Sequence, residues 1–261
     1  MAVAVVVAAA CTLAGLWQWQ RHTTRSQTIT TIEANADAPP VPIEDVLDVA
    51  RPLDDDDAWR PVRVTGEYLP GATVELRNRP VGGRPAIGVL EVLSVTEGDL
   101  AGTALVVHRG WLSPDDLATG VPAPPQGRVH LTVRVRPGEA PSTASGRQVR
   151  AIAVHQVTAA VDTDLTPLPA YGVLLDENGS PPDGLHQVPL PELGFGSHLS
   201  YAFQWWIFGA GALIGAVVLI RRDAHADDTP AAPRKRRHPT AEEEEDAILD
   251  AARAPGRPQA D

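Results

Sequence analysis

A few side chains beside the apolar runs of this sequence have types and spacings that can do chemistry. His198 stands one residue ahead of a long uncharged run, and on a helix Tyr201 and Trp205 would share its face at i+3 and i+7. An imidazole there can ligate a metal, or it can hydrogen-bond lipid headgroups or a neighbouring strand; the residue types alone favour the second. Gln204, one turn deeper, is expected to face protein rather than lipid, either pairing with Gln18 or Gln20 across helices or touching a bound group. Trp17 and Trp19 close the first apolar run, where amphipathic rings prefer the membrane interface, and both could line the same pocket. In mid-chain, Arg109-Gly110-Trp111 ends a strand-like segment. Its glycine permits close backbone approach and Trp111 can bury a large area, so the triplet reads as mainly structural, with Arg109 available to an anion. Arg77 and Arg79 share one strand face and could do likewise, although solvated or salt-bridged arginines are the default.

The other titratable groups name no reaction. His22, His108, His130, His155, His186, His225 and His238 are too dispersed for metal-ligand spacing. No G-x-S-x-G elbow, H-E-x-x-H pair or Walker loop occurs in the sequence, which disfavours an enzyme. Asp54 to Asp57 reads as a solvated, mobile loop rather than a metal site. Cys11 is the only cysteine and lies in the first apolar run, so no intramolecular disulfide, CxxC redox pair or Cys-based zinc site can form. The net charge of -11 leaves no basic face for phosphate backbones, which excludes nucleic acid.

Two apolar ends must position these groups. Leu199 to Ile220 is 22 residues without a formal charge, about 33 Å as a helix and enough to cross the hydrocarbon layer. Arg221, Arg222 and Arg234 to Arg237 follow, so the positive-inside rule puts that tail in the cytoplasm and the domain before His198 outside. The first run, Ala2 to Leu16, has only 15 residues. It either continues through the tryptophans or begins upstream; two spans around one outer domain then put both termini in the cytoplasm. Gly211 and Gly215 form a small-xxx-small pair, with the first span as its expected partner.

Between the ends, the apolar period changes. Residues 21–58 are polar and Pro-rich and read as a linker with a short helix at Ile43 to Ala50. From Trp59 the period approaches two, and strands are expected over Val62 to Tyr68, Thr73 to Asn78, Ala86 to Val95, Thr103 to Trp111, Arg128 to Arg136 and Tyr171 to Leu175. A helix is expected near Val154 to Asp162, and turns at Gly82-Gly83, Glu97-Gly98, Ala101-Gly102 and Glu177-Asn178-Gly179. The expected fold class is therefore membrane α+β: two transmembrane helices, 1–20 and 198–222, flanking a mainly antiparallel β extracytoplasmic domain, 59–197. That domain would be a sheet or open barrel with one or two helices. Residues 223–261, whose composition cannot bury a core, are expected to be a disordered cytoplasmic tail with a possible helix ending near Arg253.

Five separated segments together resemble the surfeit locus protein 1 family, in an actinobacterial-like form. Gly15 to Arg21 resembles that family's G-x-W-Q-x-x-R end of the first span, with a second tryptophan intervening, and Val64 to Tyr68 and Leu76 to Arg79 resemble its first two strands. Val107 to Pro114 is similar to its V-N-R-G-W-V-P segment, with His108 where Asn is usual, and His198 to Trp205 looks like its H-L-x-Y-A-x-Q-W approach to the second span. The resemblance implies a cell-membrane assembly factor for cytochrome c oxidase that binds haem a and assists its insertion into subunit I, alongside the haem a synthesis machinery. It also implies His198 as axial iron ligand, with Tyr201, Gln204, Trp205 and Trp17 around the haem and Arg109 near a propionate. The alternative is a membrane-tethered scaffold that contacts oxidase subunits without haem.

Overall fold

The computed structural model describes residues 2–194, 196, 198–227, 245, 246 and 249. Two long apolar helices flank a domain built on a nine-stranded sheet. By contact density the chain divides into a unit of Leu16–Ala202 and a unit of Met1–Gly15 with Phe203–Asp261.

The first helix, α1 (Ala2–Asn35), runs 34 residues, about 51 Å and well beyond a bilayer's need. The helix continues through the tryptophans, one of the two expected readings, and it runs past residue 20, so residues 21–35 are helix rather than the expected linker. Propensity does not explain it, because Thr28 to Ile32 is rich in β-branched residues. Packing does: Ile29 and Ile32 are fully buried, and Ile32 and Ala36 close on Ala58 and Trp59 with Leu190. Polar ties hold the helix end, since Asn35 Nδ2 donates to Ala58 O at 2.9 Å and Arg134 Nε to Ala36 O at 2.9 Å.

The expected helix over Ile43 to Ala50 is likewise shorter: Val41–Pro42 forms strand β1, and only a 3-10 turn over Ile43–Asp45 follows. Its Ile43 and Leu47 plug into the core below. Asp54 to Asp57 is an ordered turn, not a loose loop: the Asp54 carboxylate accepts from Asp56 N at 3.0 Å and caps the 3-10 segment Asp55–Asp57.

The remaining strands are β2 (Pro61–Tyr68), β3 (Val74–Leu76), β4 (Ile87–Val95), β5 (Thr103–Leu112), β6 (Arg128–Pro137), β7 (Ala144–Ser145), β8 (Gln148–Val149) and β9 (Thr166–Glu177). Short helices α2 (Pro114–Leu117) and α3 (Val154–Ala160) interrupt them. Sheet order is β1-β2-β6-β9-β5-β4-β3-β8-β7, and β2 also pairs with β4. That extra pairing closes β2-β6-β9-β5-β4 into a ring, so the barrel is closed rather than open. Most pairs are antiparallel; β5–β9, β1–β2 and β3–β8 are parallel.

Burial follows the sequence pattern. On β6, Val129, Leu131, Val133 and Val135 enter the core while His130, Thr132, Arg134 and Arg136 face away, as the strict alternation required. On β4 and β5 both faces are buried: Leu93, Val95, Leu105 and Val107 join the barrel core. Leu90, Val92, Ala104 and Val106 join a second core under Ile152, Val154 and Val157. Unbroken apolar runs are what such doubly covered strands need.

The last helix, α4, spans His198–Asp227, so residues 223–227 of the expected tail are helical; the rest of that tail, apart from 245, 246 and 249, lies outside the described residues. In the unit containing both apolar ends, a Cβ on Gly209 would meet Cys11 Cβ at 3.2 Å and Ala8 O at 3.4 Å, and Gly15 lies against the Trp206 indole. Gly211 and Gly215 face open space. The helix pairing expected through Gly211 and Gly215 therefore runs through Gly209 and Gly15 instead.

Candidate functional site

Arg109 lies on β5 two residues after Val107, so the strand alternation turns it to the barrel-core face, and it is fully buried. Its Nε and Nη2 donate to the two oxygens of Glu177 at 3.2 and 3.1 Å, and Nη1 donates to Pro122 O at 3.1 Å. The guanidinium lies 5.5 Å from the Tyr68 ring centroid, and the Tyr68 hydroxyl donates to Glu177 Oε1 at 2.8 Å. Burial first, then the Glu177 charge, pushes the Tyr68 hydroxyl far up, which keeps it a donor at any physiological pH. Glu91 is also fully buried: Oε1 accepts from Thr73 Oγ1 at 2.7 Å, while Oε2 has no partner among the described residues. Burial raises its pKa, against the opposing pull of Thr73 and Arg109. Arg109, Glu177 and Tyr68 satisfy one another, whereas Glu91 Oε2 is left over. A bidentate carboxylate already occupies the fork that a propionate would need.

On the other face of β5, His108 is buried with no hydrogen-bond partner for Nε2. Gly88 on β4 makes room for it, because a Cβ there would come within 2.7 Å of that nitrogen. Burial, then the charges of Arg79 and Arg136, push the imidazole down to about 4 from 6.5. Between those values the unfolded chain binds a proton that the folded chain refuses. Stability should therefore fall as pH drops from 6.5 to 4, by on the order of 3 kcal/mol. His108→Asn should flatten that slope in denaturant titrations run across this range; an unchanged slope would remove His108 as its source.

The remaining expected site residues lie on the long helices. Trp17 is exposed, with the Arg21 guanidinium 5.1 Å from its ring centroid. Tyr201 is exposed one turn into α4, whose first residue is His198; the His198 side chain lies outside the described residues. In the other unit, Gln204 and Trp205 are exposed on α4, and Trp205 meets Phe208 edge-on at 6.2 Å. Neither Trp17 nor Tyr201 is a partner of Arg109, so these groups are not gathered around that guanidinium.

Sequence reasoning missed Glu91, Glu177, Trp59 and Arg136. A lone acid inside the apolar run Ile87–Val95 was the available signal for Glu91. Arg136 carried none, since alternation placed it among solvated arginines. Its guanidinium is stacked 4.2 Å from the Trp59 ring centroid and 5.5 Å from that of Tyr171. Among the described residues, no group of three or more His, Cys, Asp or Glu is arranged to hold a metal ion.

A model of the SURF1 family matches residues 5–210, a span that takes in the apolar part of α1, the whole barrel and the first turns of α4. The chain is similar to uncharacterised SURF1-like proteins of Mycobacterium tuberculosis and Mycobacterium bovis. It is 34% identical to each over 229 residues, covering 82% of this chain and 81% of theirs.

Proposed function

The chain belongs to the SURF1 family, known broadly as cytochrome oxidase assembly factors, and from that premise we propose that it binds haem a and assists its insertion into subunit I of cytochrome c oxidase. The observation that carries the reading is the extent of the family match, which includes both membrane-proximal segments, Gly15 to Arg21 and His198 to Trp205, with the barrel between them. The protein would work beside the haem a synthesis machinery in the cell membrane and perform no catalytic step of its own. Arg221 and Arg222 close the apolar stretch of α4, so the positive-inside rule favours a cytoplasmic tail, an extracytoplasmic barrel and both termini inside.

His198 would supply an imidazole ligand to the iron, Tyr201 and Trp205 follow it at i+3 and i+7 on the same helix, and Gln204 and Trp17 would be further contacts to the haem. Haem, when bound, supplies the iron that an imidazole can ligate; the protein's part is to hold and orient it and to shield its apolar surface. The engaged state of Arg109 favours keeping a second reading, a tether that meets oxidase subunits without haem.

Deleting the chain should abolish most of the haem a signal in reduced-minus-oxidised membrane spectra, and a normal signal would remove the assembly claim. His198→Ala should lower the haem retained by the purified protein several-fold. Unchanged retention would shift the weight to the tether.

A further inference from the structure

A trough of about 850 Å³ runs between the Thr-rich turns of α1 and the barrel, with Trp59 and Arg136 among its lining. Its size is that of a ligand site rather than a packing fault. A second recess of about 440 Å³, lined by Trp17 and Arg21, shares Thr24 and Thr28 with it, so the two adjoin along one side of the helix. Trp17 and Arg21 mark the end of the apolar run of α1, and Trp59 and Arg136 belong to the β domain. The pair of recesses is thus a path from the bilayer end of α1 to a guanidinium.

That guanidinium is short of an anion. Among the described residues Arg136 makes no salt bridge and its Nε is buried without a hydrogen-bond partner; two aromatic faces and a side-chain hydrogen bond with Tyr171 hold it, none of which carries a negative charge. The neighbouring arginines are paired: Arg60 with Asp57 at 3.0 Å, Arg134 with Asp37, and Arg79 with Glu139. A part-buried cation without a counter-charge is costly, and cation–π contact offsets only part of the loss. Trp59 is also held at a φ of 68°, a left-handed conformation rare for a large side chain and worth on the order of 1–3 kcal/mol of strain. Its backbone N–H is fixed to Val135 O at 2.8 Å, which keeps the indole against Arg136. Asp55 and Asp56 also line the trough, and their charge disfavours a free small anion there, whereas an amphiphile brings apolar surface as well.

We propose that this trough receives the anionic head of a bilayer-borne amphiphile, which enters past Trp17 and settles its carboxylate or phosphate on Arg136 beside Trp59. Thr23, Thr28 and Thr30 already give their hydroxyl protons to backbone carbonyls of α1, so the donors to the head along its way would be Thr24, Ser26 and Thr31. This goes beyond the haem reading, since a porphyrin carboxylate and a lipid phosphate are both accommodated.

The full chain in detergent would be tested in two arms: haemin titration followed by absorbance, and native mass spectrometry of phosphatidylglycerol against phosphatidylcholine retained from nanodiscs. Arg136→Gln should weaken binding in at least one arm by about tenfold or more, and Arg136→Lys should restore part of it. Thr28→Trp, on an exposed position, should block the path with Arg136 intact, which keeps the test decisive if Arg136→Gln fails to fold. A response to phosphatidylglycerol alone supports the trough and counts against haem. Haemin bound equally by wild type, Arg136→Gln and Thr28→Trp, with no lipid preference, overturns the trough and leaves the haem reading standing. No binding of either probe by the wild type overturns the trough as well.

Discussion

Arg109→Ala is expected to lower the unfolding free energy of the β domain by about 3–5 kcal/mol. The loss comes less from the missing attraction than from what remains, since Glu177 would stay buried with its carboxylate facing Tyr68 and no cation. Replacing both partners tests that account. Arg109→Met with Glu177→Leu removes the two charges together and should recover most of the loss, because buried ion pairs return little beyond their desolvation cost. Denaturant titration of the full chain in detergent, followed by near-ultraviolet circular dichroism, would measure all three variants. A single variant within 1 kcal/mol of wild type, or a double variant no better than the single, would mean that the pair is solvated in solution. By contrast, the Arg51–Asp48 pair has side chains 79% and 43% exposed, and its removal should change almost nothing.

Sequence legibility tracked how local the determining physics was. β6 was readable residue by residue because one face meets the core and the other does not, so alternation alone gives strand, register and facing. The turns at Gly82, Gly83, Gly98, Gly102 and Gly179 were equally plain, each requiring a positive φ. The end of α1 was hidden because residues 21–35 are helical through contacts to Trp59, Ala58 and Leu190, far away in the sequence. Ring closure was hidden for the same reason, since nothing in β2 or β4 alone announces their pairing. The helix that carries His198, Tyr201 and Trp205 was legible from the uncharged run that begins at Leu199, while their part in holding haem is the proposal made above. Glu177 looked like a turn residue until the fold set Arg109 against it, and Arg136 looked solvated until Trp59 and Tyr171 enclosed it.

Gly66→Val is expected to open the barrel, even though valine is the better strand former. Gly66 sits where β2 is paired on both sides, with Val129 of β6 and with Val95 of β4. A Cβ at this position would overlap Ser94 O and come within 2.8 Å of Leu93 Cγ. The alanine variant should cost about 1–3 kcal/mol and the valine variant more, because the obstacle includes backbone that cannot rotate away. The damage should be directional. Amide exchange should accelerate at Thr96, whose N–H donates to Thr65 O at 3.0 Å, and at Leu69, whose N–H donates to Val92 O at 2.9 Å, while the β2–β6 ladder keeps its protection. Uniform loss across both ladders, or none, would count against a closure set by this glycine. Tyr68 links the seam to the polar cluster, since it is the terminal partner of Leu93 in the β2–β4 pairing and the donor to Glu177. Opening the seam loosens the Tyr68 hydroxyl from Glu177 and lets water reach Arg109, which lowers the cost of an unpaired charge there. Combining Gly66→Val with Arg109→Ala should therefore cost less than the sum of the two, and additivity within 0.5 kcal/mol would show that seam and cluster act independently.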